Sequence, residues 1–241
     1  MTNQRQPLPG TLIVGASQAG VQVAVTMREL GYTDPITIVG AENQLPYQLP
    51  PLSKAFLSGT ADEESLELRT AAFYADKGIR LVLGERVREI RFDGTAGEAV
   101  TDAGTALSFD RLALTVGAAP RRLALPGAQL GGVGYLRNMA DARRLQADLA
   151  TAESVAVIGG GFIGLEAAAA ARSFGKKVTV FETADRLIAR AVAPEMSEFY
   201  RAAHERRGTT VRLGVSVTGL VGRVGRGPGV GVEGGVFVAA E

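Results

Sequence analysis

The apolar positions of this chain fall into short runs that end in glycine and open onto segments of helical spacing. Leu12, Ile13 and Val14, closed by Gly15, form one such run and predict a parallel strand buried on both faces. Across residues 18–30, Ala19, Val21, Val23, Val25, Met27 and Leu30 are mixed with Gln and Arg, and Gly31 suits the end of a helix. Ile36, Thr37, Ile38 and Val39 predict the next strand, which completes a βαβ unit. The same order returns as a strand over 154–158, a helix over 163–174 capped by Gly175, and a strand over 178–181.

Between the two units, the prolines of 43–54 predict an ordered loop, and 63–77 a helix. Short strands are expected over 80–83, 86–92, 99–101 and 112–116. Prolines and glycines crowd 117–132 and mark a boundary, which gives two domains, 1–120 and 121–241. Helices over 141–150 and 194–207 flank the second unit, and a strand follows over 210–213. From Gly219 to Gly235 nearly every second position is glycine, so an irregular tail is expected from about residue 219. Glycine at that density costs backbone entropy and supplies no packing.

The two strand-to-helix junctions carry the candidate chemistry. The second is Gly159-Gly160-Gly161-Phe162-Ile163-Gly164, a G-x-G-x-x-G directly after a strand and opening a helix. That context points to a dinucleotide whose pyrophosphate rests on the positive helix N-terminus. Glu182 ends the following strand, where a carboxylate accepts from ribose hydroxyls and repels a 2′-phosphate, favouring NADH over NADPH. Arg186 and Arg190 are the opposing signal, two cations able to meet a phosphate. The first junction, Gly15-Ala16-Ser17-Gln18-Ala19-Gly20, has serine in the middle position, and its acid, Glu42, lies two residues beyond the strand end. Glu166 either faces the dipole of its own helix or points toward a nicotinamide. Lys54 is either a surface lysine on a proline-stiffened loop or a group reaching a cofactor ring.

Composition narrows the chemistry. Net charge is +1 with both signs interspersed, so there is no basic footprint for nucleic acid. The chain has no cysteine, which removes thiol nucleophiles, thiolate metal sites and a redox-active pair. Its one histidine, His204, lies in a charged stretch and reads as a solvated helix face. No metal site is expected. No apolar run reaches membrane-spanning length and the start lacks a signal-peptide layout, so a cytoplasmic protein is expected.

With these segments in view, the chain resembles the FAD-dependent, NADH-using ferredoxin reductases of bacterial oxygenase systems, the putidaredoxin reductase and biphenyl-dioxygenase reductase type, within the pyridine nucleotide–disulfide oxidoreductase superfamily. The resemblance is carried by residues 12–20, Leu49-Pro50-Pro51-Leu52-Ser53-Lys54, and residues 115–121, 135–137, 157–166 and 182–190. It implies an α/β fold with two Rossmann-like units, and electrons passing from NADH through FAD to a small iron–sulfur acceptor such as ferredoxin or rubredoxin. It further implies that Gly15, Ser17 and Gly20 hold the FAD pyrophosphate and Glu42 its ribose. Lys54 would lie beside the flavin, Val87 would meet the adenine, Thr115 and Gly117 would form the return turn, and Arg137 would support the FAD phosphates. Gly159, Gly161, Ile163, Gly164, Glu182 and Arg190 would bind NADH, with Glu166 facing the nicotinamide. Lys54 and Glu166 are thus the expected catalytic pair.

The resemblance fades after about Leu213, and the family's second flavin motif and C-terminal interface domain have no counterpart here. The chain is therefore expected to be truncated, with an incomplete FAD unit, an open sheet edge and weak FAD retention. The rival expectations are a dinucleotide-binding fragment with little or no activity, and a single-cofactor NAD-dependent dehydrogenase.

Overall fold

The computed structural model describes residues 9–223, 226–229 and 235–239. The chain divides into two compact units, one of Met1–Gln48 with Glu64–Ala118 and the other of Leu49–Glu63 with Ala119–Glu241. The division near residue 118 falls within the glycine- and proline-rich boundary, but the proline loop from Leu49 clusters with the second unit.

In the first unit, β1 (Thr11–Val14) leads into α1 (Gln18–Glu29) and β2 (Ile36–Gly40), and α2 (Ala71–Asp76) leads into β3 (Ile79–Leu83). A hairpin sheet follows, made of β4 (Val87–Asp93), β5 (Ala96–Thr101) and β6 (Ala106–Phe109), and β7 (Arg111–Leu114) returns to the first sheet. The main sheet is all parallel, in the order β3-β2-β1-β7. Alternation along β1 splits its side chains between two cores. Ile13 joins Val21, Ala24 and Tyr74 on the helical side, while Leu12 and Val14 join Leu107 and Phe109 on the hairpin side. Strand β7 is an edge of the sheet among the described residues, and Leu114 and Val116 there are exposed.

The helix expected over 63–77 is broken. Gln48 donates its N–H to the Leu66 carbonyl and Leu68 to the Pro46 carbonyl, so 46–48 and 66–68 run alongside one another and take the groups a helix needs. What remains is a 3₁₀ turn at Glu64–Leu66 and the short α2, whose Thr70 side chain accepts from the Phe73 N–H. Tyr74 on α2 is 2% exposed and its hydroxyl has no hydrogen-bond partner among the described residues. Burial pushes that phenol up to about 12. An unsatisfied buried hydroxyl costs about 1–3 kcal/mol. Tyr74→Phe is therefore expected to raise stability by about 1 kcal/mol in thermal or denaturant unfolding, and a fall in stability would show that the hydroxyl has a partner in solution.

In the second unit, β8 (Val133–Tyr135) precedes α3 (Met139–Thr151), which starts earlier than its sequence pattern because Asn138 and Asp141 close a reciprocal capping box. Then come β9 (Ser154–Ile158), α4 (Phe162–Ser173), β10 (Lys177–Phe181), α5 (Pro194–Arg206) and β11 (Thr209–Arg212). The glycine-rich stretch expected to be irregular supplies three strands, β12 (Val221–Arg223), β13 (Arg226–Gly229) and β14 (Gly235–Ala239). Positions 224–225 and 230–234 of that stretch lie outside the described residues. Strand β14 inserts between β9 and β8 in a parallel sheet ordered β11-β10-β9-β14-β8. Its sequence, Gly-Val-Phe-Val-Ala, has a single glycine and three strand-favouring residues, and it is paired on both sides. Among the described residues no helix is long and apolar enough to cross a membrane.

Candidate dinucleotide sites and the Lys54–Glu166 pair

Each unit presents one glycine turn opening onto a helix N-terminus. In the first, Gly15 has φ +119, and a Cβ built there would lie 2.1 Å from the Thr115 carbonyl oxygen. Thr115 latches this turn. Its N–H donates to the Val14 carbonyl at 2.8 Å, and its hydroxyl lies 3.1 and 3.0 Å from the carbonyls of Val14 and Gly15. The Ser17 side chain makes no capping bond to α1, and the first turn holds no acidic residue. The first backbone bond of α1 runs from the Val21 N–H to the Ser17 carbonyl. The N–H groups of Gln18, Ala19 and Gly20 therefore have no acceptor within the helix. Uncapped amides at the positive end of a helix of 12 residues suit a phosphate.

Glu42 follows β2 and is exposed; its Oε2 accepts from the Tyr47 hydroxyl at 2.8 Å and from Gln44 Nε2 at 3.1 Å. A carboxylate fixed by a phenol can still accept from a ribose hydroxyl through its remaining lone pairs. Val87 is half-buried at the start of β4, and Gly117 is exposed at φ +65 in the loop after β7.

In the second unit, Gly161 is the N-cap of α4 and has no side chain with which to cap it, and the first turn again lacks an acid. Leu165 makes the first backbone bond, to the Gly161 carbonyl, so the amides of Phe162, Ile163 and Gly164 have no acceptor within the helix. Gly164 is buried and Ile163 half-buried. The turn is tightened by Gly160, which sequence reasoning treated as a free position. Its N–H donates to Glu182 Oε2 at 2.7 Å, and its carbonyl accepts from the Ile188 N–H at 3.0 Å. A Cβ on Gly160 would lie 2.5 Å from Leu187 Cδ2 and 3.1 Å from Glu182 Cβ and Oε2. The run of three glycines was the signal.

Glu182, the residue after β10, thus braces the loop: its Oε1 accepts from the Ala184 N–H at 2.8 Å and lies 3.2 Å from the Thr183 hydroxyl. The two arginines expected as phosphate contacts part company. Arg186 is spent on structure, donating to the carbonyls of Val192 and Ala189 and to the Ser197 hydroxyl. That knot holds Ile188 at φ 51, a conformation strained for a β-branched residue. Arg190 is exposed. Arg137 gives its backbone N–H to Asp141 in the capping box of α3.

Lys54 and Glu166 are brought together, both within the second unit. The 3₁₀ turn Pro50–Ser53 has proline in its first positions, which presets the backbone, and it lies against α3 and α4. Lys54 Nζ is 2.9 Å from Glu166 Oε1, with the two side chains 54% and 29% exposed. Ser53, 7% exposed, donates its hydroxyl to Glu166 Oε2. Sequence reasoning missed Ser53 because its partner stands far along the chain. The segment is strapped down further by the Arg143–Glu63 pair, whose hydrogen bond holds the Glu63 carboxyl below its ordinary value, and by Gln146 Nε2 donating to the Phe56 carbonyl at 3.1 Å. His204 is half-buried rather than fully solvated, and burial with Arg207 nearby lowers its pKa, so it is neutral at pH 7. Among the described residues no cluster of His, Asp and Glu could hold a metal ion.

Comparison with known proteins places this geometry. Rhodocoxin reductase of Rhodococcus erythropolis is 43% identical over 230 residues, covering 95% of this chain and 53% of the relative. The ferredoxin--NAD(+) reductase component of the p-cumate 2,3-dioxygenase system of Pseudomonas putida is 44% identical over 210 residues, covering 87% and 52%. The chain therefore spans about half the length of the curated relatives it matches. Among solved structures, the ferredoxin reductase for the CYP199A2 system from Rhodopseudomonas palustris superposes with a TM-score of 0.89 at 36% identity, over 96% of this chain and 58% of the other. The model of the pyridine nucleotide-disulphide oxidoreductase family matches residues 10–235, and the chain belongs to that family.

Proposed function

We propose that the chain serves an NADH-dependent FAD oxidoreductase that passes electrons to a small iron–sulfur protein such as ferredoxin or rubredoxin. The observation that carries this reading is the repeated site: two parallel βαβ units, each opening from a glycine turn onto a helix N-terminus with neither a side-chain cap nor a first-turn acid. The relatives named as ferredoxin and rhodocoxin reductases support the choice of acceptor. With no cysteine in the chain, none of its own residues can form the dithiol that a disulfide route needs. When bound, the flavin supplies both two-electron and one-electron chemistry.

In this reading the first domain, near 1–120, holds FAD, with Gly15, Ser17 and Gly20 at the pyrophosphate and Glu42 at the ribose. Val87 meets the adenine, Thr115 and Gly117 form the return turn, and Arg137 supports the FAD phosphates. The second domain, near 121–241, holds NADH on Gly159, Gly161, Ile163 and Gly164. Glu182 favours NADH because its carboxylate repels a 2′-phosphate. Arg190 is left for the remaining phosphate contact. Lys54 places a cation beside the flavin and Glu166 faces the nicotinamide. A cytoplasmic setting, where NADH turns over, fits the reading.

The test is a visible absorption spectrum of the chain with FAD added, before and after anaerobic NADH. Flavin bands that stay with the protein and bleach with NADH, faster than with NADPH, are expected. Protein that takes up no flavin sinks the oxidoreductase reading and leaves an NADH-binding chain.

A further inference from the structure

We propose that Ser53 is a positioning residue that sets the orientation of Glu166 and, through it, the place of the Lys54 ammonium. The carboxylate of Glu166 is held at both oxygens by consecutive residues of one turn: Ser53 on Oε2 and Lys54 on Oε1. Two fixed oxygens stop the carboxylate rotating about its last torsion, which a single contact does not. The two holds differ in kind. Lys54 is more than half exposed, so its ion pair is screened by water and weak on its own. Ser53 is 7% exposed, so its hydrogen bond is made out of water, where a donor facing a charged acceptor is worth more.

The hydroxyl has one proton, and its other neighbour, the Pro50 carbonyl, lies 3.4 Å away, which leaves Glu166 as the acceptor. The turn that carries Ser53 is itself fixed. Leu52, Phe56 and Leu57 are buried, the Phe56 N–H donates to the Pro51 carbonyl, and Gln146 holds the Phe56 carbonyl. Ser53 thus transmits a rigid backbone position to a carboxylate on α4. This inference rests on the flavoprotein reading for what the pair does, but the hold itself exists without any cofactor.

Two measurements separate those levels. The first is the acylation rate of Lys54 by a succinimidyl acetate, followed by peptide mass mapping against exposed Lys77 in the same chain. The wild-type Lys54 should react more slowly than Lys77. S53A should speed Lys54 by about threefold to fivefold, the range a half-exposed ion pair supports, and bring it close to E166A. S53A at the wild-type rate while E166A is faster overturns the proposal, and so does an E166A rate equal to wild type. The second measurement gives the chain FAD and NADH. S53A should lower the rate of flavin reduction at saturating NADH while NADH affinity, read by nucleotide fluorescence, stays the same. Equal losses in affinity and unfolding temperature would mark Ser53 as a merely structural residue and overturn its positioning role. Wild-type chain that reduces no FAD removes the flavoprotein reading, and the labelling result still decides whether Ser53 holds the pair.

Discussion

Gly15→Ala should unfold the first unit at a markedly lower temperature and abolish FAD uptake. The added methyl carbon would sit 2.1 Å from the Thr115 carbonyl oxygen and 2.9 Å from the Thr115 hydroxyl oxygen, distances no carbon tolerates. Relief requires moving the backbone just after β1 or just after β7, two paired strands of the same parallel sheet. The backbone at Gly15, φ +119, is in addition one that an L side chain rarely adopts. Conformational strain and overpacking together amount to on the order of 3 kcal/mol. Thermal unfolding measures the loss, and flavin retention on a desalting column measures its consequence. A variant with wild-type melting and a bound flavin would show that the turn is more accommodating than its contacts imply.

Gly160→Ala should weaken NADH binding by about tenfold or more, equivalent to ~1.4 kcal/mol, with little change in FAD uptake. The new methyl would meet Leu187 Cδ2 at 2.5 Å. Leu187 has no exposure at all, and the loop that carries it is tied by Arg186 to Val192, Ala189 and Ser197. The side chain cannot swing aside, so the glycine turn must move. That movement breaks the Gly160 N–H bond to Glu182 and displaces the carboxylate expected at the ribose. Titration of nucleotide fluorescence reads the loss. Unchanged NADH affinity would mean that the loop over residues 182–188 yields without disturbing the site. The pair of substitutions also tests whether the two glycine turns serve different ligands, since each should damage one and spare the other.

Much of this was legible because parallel βαβ units announce themselves locally. An unbroken apolar run, a glycine and a helical period lie within about thirty residues of one another, and both units appeared as expected. What escaped depends on partners far along the chain. The helix expected over 63–77 lost its middle to residues 46–48, which no local period reveals. Strand β14 was hidden by the glycines that precede it, and its partners β8 and β9 lie far back along the chain. The importance of Gly160 lies in Leu187, and that of Ser53 in Glu166. Arg186 looked like a ligand for phosphate because a cation near a nucleotide fold suggests one, but its donors close a turn. Residue type and spacing showed where the candidate sites begin. They did not show what braces them.

The grouping of Leu49–Glu63 with Ala119–Glu241 has a bearing on how the chain acquires its structure. The second unit is discontinuous, and its first piece is synthesised before any of its partners. Until α3 and α4 emerge, the turn Pro50–Ser53 lacks the helices it lies against, the Phe56 carbonyl lacks Gln146, and Lys54 has no Glu166. Closing that gap spans residues 64–118, a costly loop for a random coil but a shorter effective one once those residues have folded as part of the first unit. Maturation of the Lys54–Glu166 pair is therefore coupled to completion of the other half of the molecule. A cut between Ala118 and Ala119 would not release a finished second domain, because the fifteen-residue strap that completes it would stay behind with the first.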